Sequence, residues 1–403
     1  MRGFKTIKKQ PTQPQSQPQY EVADVLNKLG SKLEDLGLNS WQLRTLFALK
    51  KCRTSALGGH IDACDECGNI SISYNSCRNR HCPKCQTVKK EQWIGKRKQD
   101  MLDVKHFHTV FTIPSELNAL VLQNQCKLYG LLFTASAGTV KELTADPKYL
   151  GASVGFMSIL HSWGSNMSFH PHIHMVATAG GIAPDGRWKP TRGKYFLPVK
   201  VLSSLFRGKF LSGCRALYDR GELSLKGDNG NAVSRNAFSS LIDACYQKDW
   251  VVYSKVPFNG AEGVFEYLGR YTHRLVISNN RILSVDGGKT AFLWKDYKDE
   301  SKLKETTLSN EEFIRRFLLH VLPTGFTRIR HYGLYSSRSK STRLELYRSA
   351  LDARFRRKPH KKRDRQLETP FEIVVRILGR DPRFCPRCGS LLNQEPLARA
   401  SPA

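Results

Sequence analysis

Two Cys-x-x-Cys pairs stand close together in the first quarter of the chain, where the sequence reads CDEC and then, after 14 further residues, CPKC. A two-residue spacer lets both sulfurs of a pair face one point, so two pairs can converge on one tetrahedral ion, and thiolates prefer zinc. The spacing therefore predicts a structural zinc site formed by Cys64, Cys67, Cys82 and Cys85. Four protein ligands leave no open position for a reactive water.

Further potential ligands surround these pairs and recur near the C-terminus. Four residues could form a second closed site interleaved with the first: Cys52, His60, Cys77 and His81. The alternative is that these side chains pack or hydrogen-bond around a single ion. Cys385 and Cys388 form half of another site, and no Cys or His follows them. Either this pair takes ligands from elsewhere in the fold, or it binds nothing.

Three histidines alternate along the segment His170-Pro-His172-Ile-His174. Residues two apart on a strand project to the same face, so these imidazoles line one side, and two neighbouring neutral imidazoles can bind a divalent ion. His106 and His108 have the same spacing on an earlier predicted strand. Their surroundings favour packing, although a neighbouring strand could bring them close to the other histidines.

A paired-tyrosine segment, EYLGRYTHR, supplies a different chemistry. In a helix, Tyr267 and Tyr271 lie at i and i+4 on one face, and Arg270 and Arg274 form a second such pair on an adjacent face. A phenol is a poor nucleophile until a metal neutralises the phosphate that it attacks and arginines stabilise the developing charge. Together with the histidine face, this segment describes a phosphodiester-cleaving site with a covalent tyrosine nucleophile.

The charge of the chain agrees with a polyanionic partner. Its 403 residues carry 64 Lys and Arg against 35 Asp and Glu, a net charge of +29, and the 40% hydrophobic content excludes a wholly disordered basic tail. Nucleic acid is the leading partner and an anionic membrane surface the second. Three predicted DNA contacts crowd the cysteine pairs: Arg78, Arg80 and Lys84. Segment 354–365, with eight Lys or Arg, is predicted to track phosphates.

Several signals are missing from the sequence. It contains no apolar run long enough to span a membrane and no apolar signal-peptide core at its start, so we expect a cytoplasmic, nucleoid-associated protein. In such a reducing compartment, clustered cysteines bind metal more often than they form disulfides. A GxxxxGK[ST] phosphate-binding loop is also missing, and no role for ATP is expected.

Periodicity places these residues on elements. Residues 1–22 are predicted to be a disordered Gln/Pro-rich leader, and 23–95 a helical and zinc-binding module whose second helix is capped by Asn39 or Ser40. Residues 100–340 contain the predicted strands and helices of a larger domain, and 341–403 form a basic arm with the last cysteine pair. Strands are predicted at 105–114 and, as a pair, within 151–182; helices are predicted at 116–143, 198–218, 233–247 and 310–321.

Five long motifs in order resemble those of the HUH-type two-tyrosine transposases of bacterial rolling-circle insertion sequences: CDECG…SYNSCRNRHCPKCQ, HFHTVFTIPSEL, LHSWGSNMSFHPHIHMV, EYLGRYTHRLVISN and FIRRFLLHVLPTGFTRIRHYG. The resemblance, which runs from about residue 24 to 340, implies an α+β fold in which a central antiparallel sheet with flanking helices follows a zinc-binding DNA module. It assigns His172 and His174 to a catalytic Mg²⁺ or Mn²⁺, and Tyr267 and Tyr271 to the nucleophiles. The third ligand stays open among four residues: His161, His170, Glu266 and His273.

The implied activity is transposition. A tyrosine would attack single-stranded DNA at an insertion-sequence end to give a 5′-phosphotyrosine and a free 3′-OH, and the second tyrosine would hold a new end during strand transfer. A host helicase would supply unwinding. Two alternatives remain: a replication initiator or relaxase with the same chemistry, or a non-enzymatic zinc-containing DNA-binding regulator.

Overall fold

The computed structural model describes residues 18–192, 196–226, 233–258, 275–297, 299–336, 340–355 and 367–400. Most of the predicted leader, the paired-tyrosine segment and most of the basic segment 354–365 lie outside these residues. Among the described helices, none has the length and apolar character needed to cross a membrane.

Helices and strands are interspersed along the chain. The helices are α1 Val22–Leu29, α2 Ser40–Lys51, α3 Thr87–Asp100, α4 Asn118–Gln123, α5 Gln125–Ala145, α6 Val199–Asp219, α7 Arg235–Gln247, α8 Asn310–Leu319, α9 Lys340–Phe355 and α10 Pro370–Leu378. The strands are β1 Gly59–Ala63, β2 Ile70–Tyr74, β3 His106–Thr112, β4 Ser153–Trp163, β5 Phe169–Ile182, β6 Trp188–Pro190, β7 Val252–Phe258, β8 Ile282–Asp286, β9 Lys289–Asp296, β10 Lys302–Ser309, β11 Ile329–Tyr332 and β12 Asn393–Leu397.

A six-stranded sheet forms the centre of the structure. Its order is β11-β4-β5-β3-β7, with β6 beside β5, and every pairing is antiparallel. The two long strands β4 and β5 form a hairpin around the turn at Gly164, as the sequence predicts. The predicted α+β class with an antiparallel sheet is confirmed.

One face of this sheet is covered by helices. Phe107 and Phe111 of β3 point to the same side as Ile173 of β5, and the long helices α5 and α6 pack on them. The ring of Phe111 meets that of Phe206 edge-on at 5.1 Å between centroids. These side chains are almost fully buried, and each contributes about 1.5–3 kcal/mol to the free energy of folding.

The opposite face is covered only along part of its length by α9. Leu344 and Tyr347 of α9 pack with Met157 and Val176 in a separate core, and the Tyr347 hydroxyl donates to the Ser153 carbonyl at 2.8 Å. Farther along β5 toward its start, this face carries the histidines rather than apolar side chains.

The N-terminal residues form a module that packs against the rest of the chain. Helix α2 begins after Asn39, whose side chain accepts from the Gln42 amide in a capping box, and α1 and α2 share a core with Trp163 and with Phe313 of α8. Helix α1 begins at Val22, which is 1% exposed, so the last residue of the predicted leader belongs to the folded module.

The C-terminal residues return to this module. Strand β12 pairs with β1 in a three-stranded antiparallel sheet of order β12-β1-β2, and Arg376 of α10 pairs with Glu91 of α3 at 3.1 Å. The predicted C-terminal arm therefore contributes a strand to the sheet of the predicted zinc-binding module.

Candidate metal centre and nucleic-acid interface

Strand register brings three histidines together on the sheet face that α9 covers farther along the strands. His161 of β4 stands directly opposite His172 of β5, and His174 follows two residues later on the same face. The three side chains are 2%, 9% and 7% exposed, so the cluster is almost completely buried. Trp163 stacks on the His161 ring at 4.8 Å.

The imidazoles converge on one point. The Nε2 atoms of His172 and His174 are 3.0 Å apart, and a candidate ligand nitrogen of His161 lies within 4.8 Å of both. Neutral imidazole nitrogens at this spacing match the ligand set of a divalent transition ion better than that of Mg²⁺, which prefers oxygen. Of the two ions implied by the resemblance, the donor set therefore fits Mn²⁺ better.

Hydrogen bonds fix the orientation of two of these rings. The Nδ1 atom of His172 lies 2.6 Å from the His170 carbonyl oxygen, and the Nδ1 atom of His174 lies 3.0 Å from Nε2 of His108. A metal takes the lone pair of Nε2, so each Nδ1 must carry the proton and donate it to these acceptors. The arrangement is compatible with metal binding through both Nε2 atoms.

The structure gives positions to several histidines whose roles the sequence did not decide, including candidates for the third metal ligand. In the described part of the chain, His161 joins His172 and His174, whereas His170 is exposed and contributes its carbonyl; Glu266 and His273 lie outside it. His108, predicted to pack, contacts His174, and burial lowers its pKa to about 3. His106 does pack: its Nε2 is 3.0 Å from the Tyr335 hydroxyl oxygen.

The cysteines form two clusters, each of four sulfurs. The first consists of Cys52, Cys77, Cys82 and Cys85, and the second of Cys64, Cys67, Cys385 and Cys388. In the first, the Cys52 and Cys82 sulfurs are 3.5 Å apart. In the second, the Cys64 and Cys388 sulfurs are 3.4 Å apart, and Cys67 lies 3.6 Å from Cys385. Four converging thiolates are the ligand set of a closed structural zinc site.

This grouping differs from the predicted one, and the predicted quartet of Cys64, Cys67, Cys82 and Cys85 is wrong. The physical reason is the β1–β2 hairpin. Cys64 and Cys67 lie in its turn, whereas Cys77 follows the other end of β2, where Tyr74 pairs with Gly59. Five residues of strand separate the two ends by roughly 16 Å, too far for one ion. Cys385 and Cys388 take the place that the spacing assigned to Cys82 and Cys85.

Two histidines proposed for a second site lie elsewhere. His60 is on β1 with its Nε2 3.5 Å from a carboxylate oxygen of Asp62. His81 lines a small cavity with Trp163, His320 and Arg328, and burial lowers its pKa to about 3. Neither belongs to a cysteine cluster. Within the second cluster, hydrogen bonds from Ser390 lower the pKa of the Cys388 thiol to about 6, which favours the thiolate.

The basic residues near the first cysteine cluster differ in whether they bind other protein groups. The guanidinium of Arg80 donates to the carbonyls of Phe326, Leu322 and Pro323 at 2.7, 3.2 and 2.9 Å, and Lys84 pairs with Glu21. These two cations therefore hold the module together and against the segment before β11. Arg78 is exposed and stays available to DNA; Arg270 and Arg274 lie outside the described residues.

An antiparallel α+β domain with a three-histidine cluster and cysteine-rich clusters in its N-terminal module defines a class of metal-binding proteins, and sequence comparison specifies the family. A family model described as "Putative transposase" matches residues 155–343, and one described as "Transposase zinc-binding domain", of the IS91 type, matches residues 24–113. The chain belongs to this family of IS91-type transposases.

Two relatives agree with this assignment. A protein of Sinorhizobium fredii named "Putative transposase y4qJ" is 43% identical over 91% of this chain and 92% of its own length. The transposase of insertion sequence element IS801 from Pseudomonas savastanoi pv. phaseolicola is 28% identical over 76% of this chain and 73% of its own. No solved structure matches the chain.

Proposed function

We propose that this transposase nicks and rejoins single-stranded DNA at insertion-sequence ends through a 5′-phosphotyrosine, as in rolling-circle transposition. The observation that carries the proposal is the cluster of His161, His172 and His174 on one sheet face, close to the residues that directly follow the tyrosine motif. Leu275 and Val276, directly after that motif, line the same small cavity as Trp163, whose ring stacks on His161. Tyr271 precedes Leu275 by four residues, and four residues of extended chain span at most about 14 Å.

The residues divide the chemistry among them. A divalent ion held by the three imidazoles would neutralise charge on the scissile phosphate. The phenolic oxygen of Tyr267 or Tyr271 forms a bond to phosphorus and loses its proton to solvent or to a neighbouring base, while the bond from phosphorus to the 3′ oxygen breaks and that oxygen takes up a proton from solvent. The new ester conserves the phosphodiester linkage, so the reverse attack by a 3′-OH joins strands without ATP. His108 and the His170 carbonyl orient the ligand rings throughout.

Zinc has a separate, structural role in this proposal. We assign one ion to each four-cysteine cluster, two per chain, and each is fully coordinated by protein. The net charge of +29 and the exposed Arg78 support binding of the DNA strand next to the zinc module. Strand separation would come from another protein, such as a helicase.

The test is single-turnover cleavage of a labelled single-stranded oligonucleotide copied from the insertion-sequence end beside the gene, with Mn²⁺ or Mg²⁺. The wild-type protein should form an adduct that survives denaturing electrophoresis and leaves a free 3′-OH. The double variant Tyr267→Phe/Tyr271→Phe should form none, and His161→Ala should form much less. No adduct from the wild type, with normal DNA binding, would instead support a non-enzymatic regulator.

A further inference from the structure

The sheet face that carries the three histidines continues past them to its edge strand. Antiparallel pairing places Val110 of β3 opposite His174 on one side and opposite Tyr253 of β7 on the other. His108 likewise stands opposite Lys255. Because directly paired residues share a face, Tyr253 and Lys255 project to the same side of the sheet as the histidine cluster.

These two side chains differ from their surroundings in being open to solvent. Tyr253 is 51% exposed on an edge strand, and Lys255 is exposed too, with its Nζ 5.8 Å from the centre of the Tyr253 ring. Among described residues, no carboxylate forms an ion pair with Lys255, whereas Lys302 and Lys304 of β10 are both paired with Asp299. The β7 pair therefore combines an aromatic face with a cation that has no acidic partner there.

Tyr253 and Lys255 lie within a few nucleotides' length of a phosphate bound at the histidine cluster. Two strand spacings separate β7 from β5, which is roughly 10 Å. A stacked nucleic-acid strand advances 3.4 Å per nucleotide, so 10 Å corresponds to about three nucleotides, and to fewer in an extended strand. A strand with its scissile phosphate at the histidines can therefore run along the cross-strand row through Val110 to Tyr253.

We propose that Tyr253 and Lys255 form a nucleotide-binding subsite of the metal centre: the Tyr253 ring stacks on a base within about three nucleotides of the scissile phosphate, and Lys255 contacts an adjacent phosphate. The inference rests on the proposed function, because it takes the ligand of the histidine cluster to be single-stranded DNA. Stacking tolerates any base, so the subsite holds the strand without reading its sequence. The competing explanation is that Lys255 only protects an exposed sheet edge from aggregation.

Binding can be measured apart from cleavage by using the Tyr267→Phe/Tyr271→Phe background and a fluorescein-labelled dT6 probe in fluorescence anisotropy over a range of salt. Tyr253→Ala should weaken binding about fivefold or more, and Tyr253→Phe should restore it. Lys255→Gln should make the slope of log K against log salt less steep by about 0.7, the value for one phosphate contact on a single strand. If both variants bind dT6 as tightly as their background, with unchanged salt slopes, the subsite does not exist.

The chain supplies matched controls. Lys148 lies 5.6 Å from the Tyr149 ring in the loop after α5, on the helix-covered side, and Tyr246 of α7 is 50% exposed beside Arg207. Lys148→Gln and Tyr246→Ala remove a charge and an exposed ring of the same kinds, and both should leave dT6 binding unchanged. If Lys255→Gln lowers only solubility, edge protection is the correct explanation.

Photocrosslinking locates the subsite and separates the two proposals. 5-Iododeoxyuridine placed singly along the insertion-end oligonucleotide should crosslink to the Tyr253 peptide only from positions within about three nucleotides of the cleaved bond. Crosslinks confined to distant positions would overturn the subsite even if cleavage proceeds. If the wild type binds and crosslinks there but forms no phosphotyrosine, the subsite stands and the proposed cleavage fails.

Discussion

Replacing Cys385 by serine is the sharpest test of how the C-terminal segment is held. The Cys385 side chain is 3% exposed, and its sulfur lies 3.6 Å from that of Cys67 in the second cluster. A hydroxyl does not replace a thiolate in a closed zinc site, so three ligands remain. We expect the zinc content to fall from two ions to one per chain.

The magnitude of the accompanying destabilisation follows from the loop that this zinc closes. Arg376 of α10 pairs with Glu91 of α3, and Cys385 is the next fixed point, about nine residues later. Closing a loop of that length removes chain entropy worth about 2.5 kcal/mol. Since about 1.4 kcal/mol corresponds to a factor of ten, the amides of β12 should exchange with solvent about two orders of magnitude faster.

Elemental analysis and hydrogen-exchange mass spectrometry measure the two effects in one preparation. Cys126→Ser is the control, because Cys126 is exposed on α5 and belongs to neither cluster. Cys85→Ser is the complementary variant: it should also remove one zinc but leave the β12 amides protected. Two zincs in Cys385→Ser, or one zinc with wild-type protection of β12, would refute the assignment of a second site that fastens the C-terminus.

Three other measurements probe the remaining parts of the structure. His108→Ala should weaken Mn²⁺ binding 10- to 100-fold in electron paramagnetic resonance titrations, since His174 loses its orienting partner; unchanged affinity would show that the contact has no such role. Arg80→Ala should lower the free energy of unfolding in urea by about 1–3 kcal/mol, because three carbonyls lose a charged donor, whereas Arg78→Ala should change it by less than about 0.5 kcal/mol; equal losses would contradict the structural role. Burial lowers the pKa of His106 to about 4, so the unfolded chain binds its proton first as the pH falls from 6.5, and the native state should lose about 3 kcal/mol by pH 4. In His106→Gln this part of the acid destabilisation should disappear, and identical pH profiles for the two proteins would disprove it.

Regular patterning made much of the fold predictable. The alternating segment HFHTVFT is β3, and the helices predicted at 198–218 and 233–247 are α6 and α7 with ends shifted by at most two residues. The helix predicted over 116–143 is interrupted at Asn124, whose side-chain amide donates to the carbonyls of Leu120 and Ser224. Ser224 lies 100 residues from Asn124 in the sequence, so no local pattern signals the break in the helix.

Strand β12 was not predicted, and its sequence shows why. NQEPL has no β-branched or aromatic residue, and Pro396 removes one backbone donor, so intrinsic preference opposes a strand. It forms at a sheet edge, where proline is tolerated, next to the cluster that fastens Cys385 and Cys388 to the β1–β2 turn. Its conformation therefore depends on partners more than 300 residues away in the sequence, as does the correct grouping of the cysteines.

The histidine cluster was predictable only in part for the same reason. Alternation alone places His172 and His174 on one face of a strand. His161 is one of four candidates for the third ligand in the sequence, and only the register of β4 on β5 sets it opposite His172. The register of β3 and β7 adds His108, Tyr253 and Lys255 to that face. Antiparallel pairing thus assembles side chains from four strands, of which the spacing within one strand indicates two.

The first cysteine cluster connects to the histidine cluster through a continuous set of contacts, although its own chemistry is closed. Arg80, between Cys77 and Cys82, fixes three carbonyls of the segment before β11. The same segment continues to Arg328, whose guanidinium lies 5.9 Å from the Trp163 ring, and Trp163 stacks on His161. Since Cys52 and Cys82 share a core with Trp163, the first cysteine cluster also holds the side chain that stacks on His161. The first cysteine cluster and the histidine cluster are therefore linked through packed side chains.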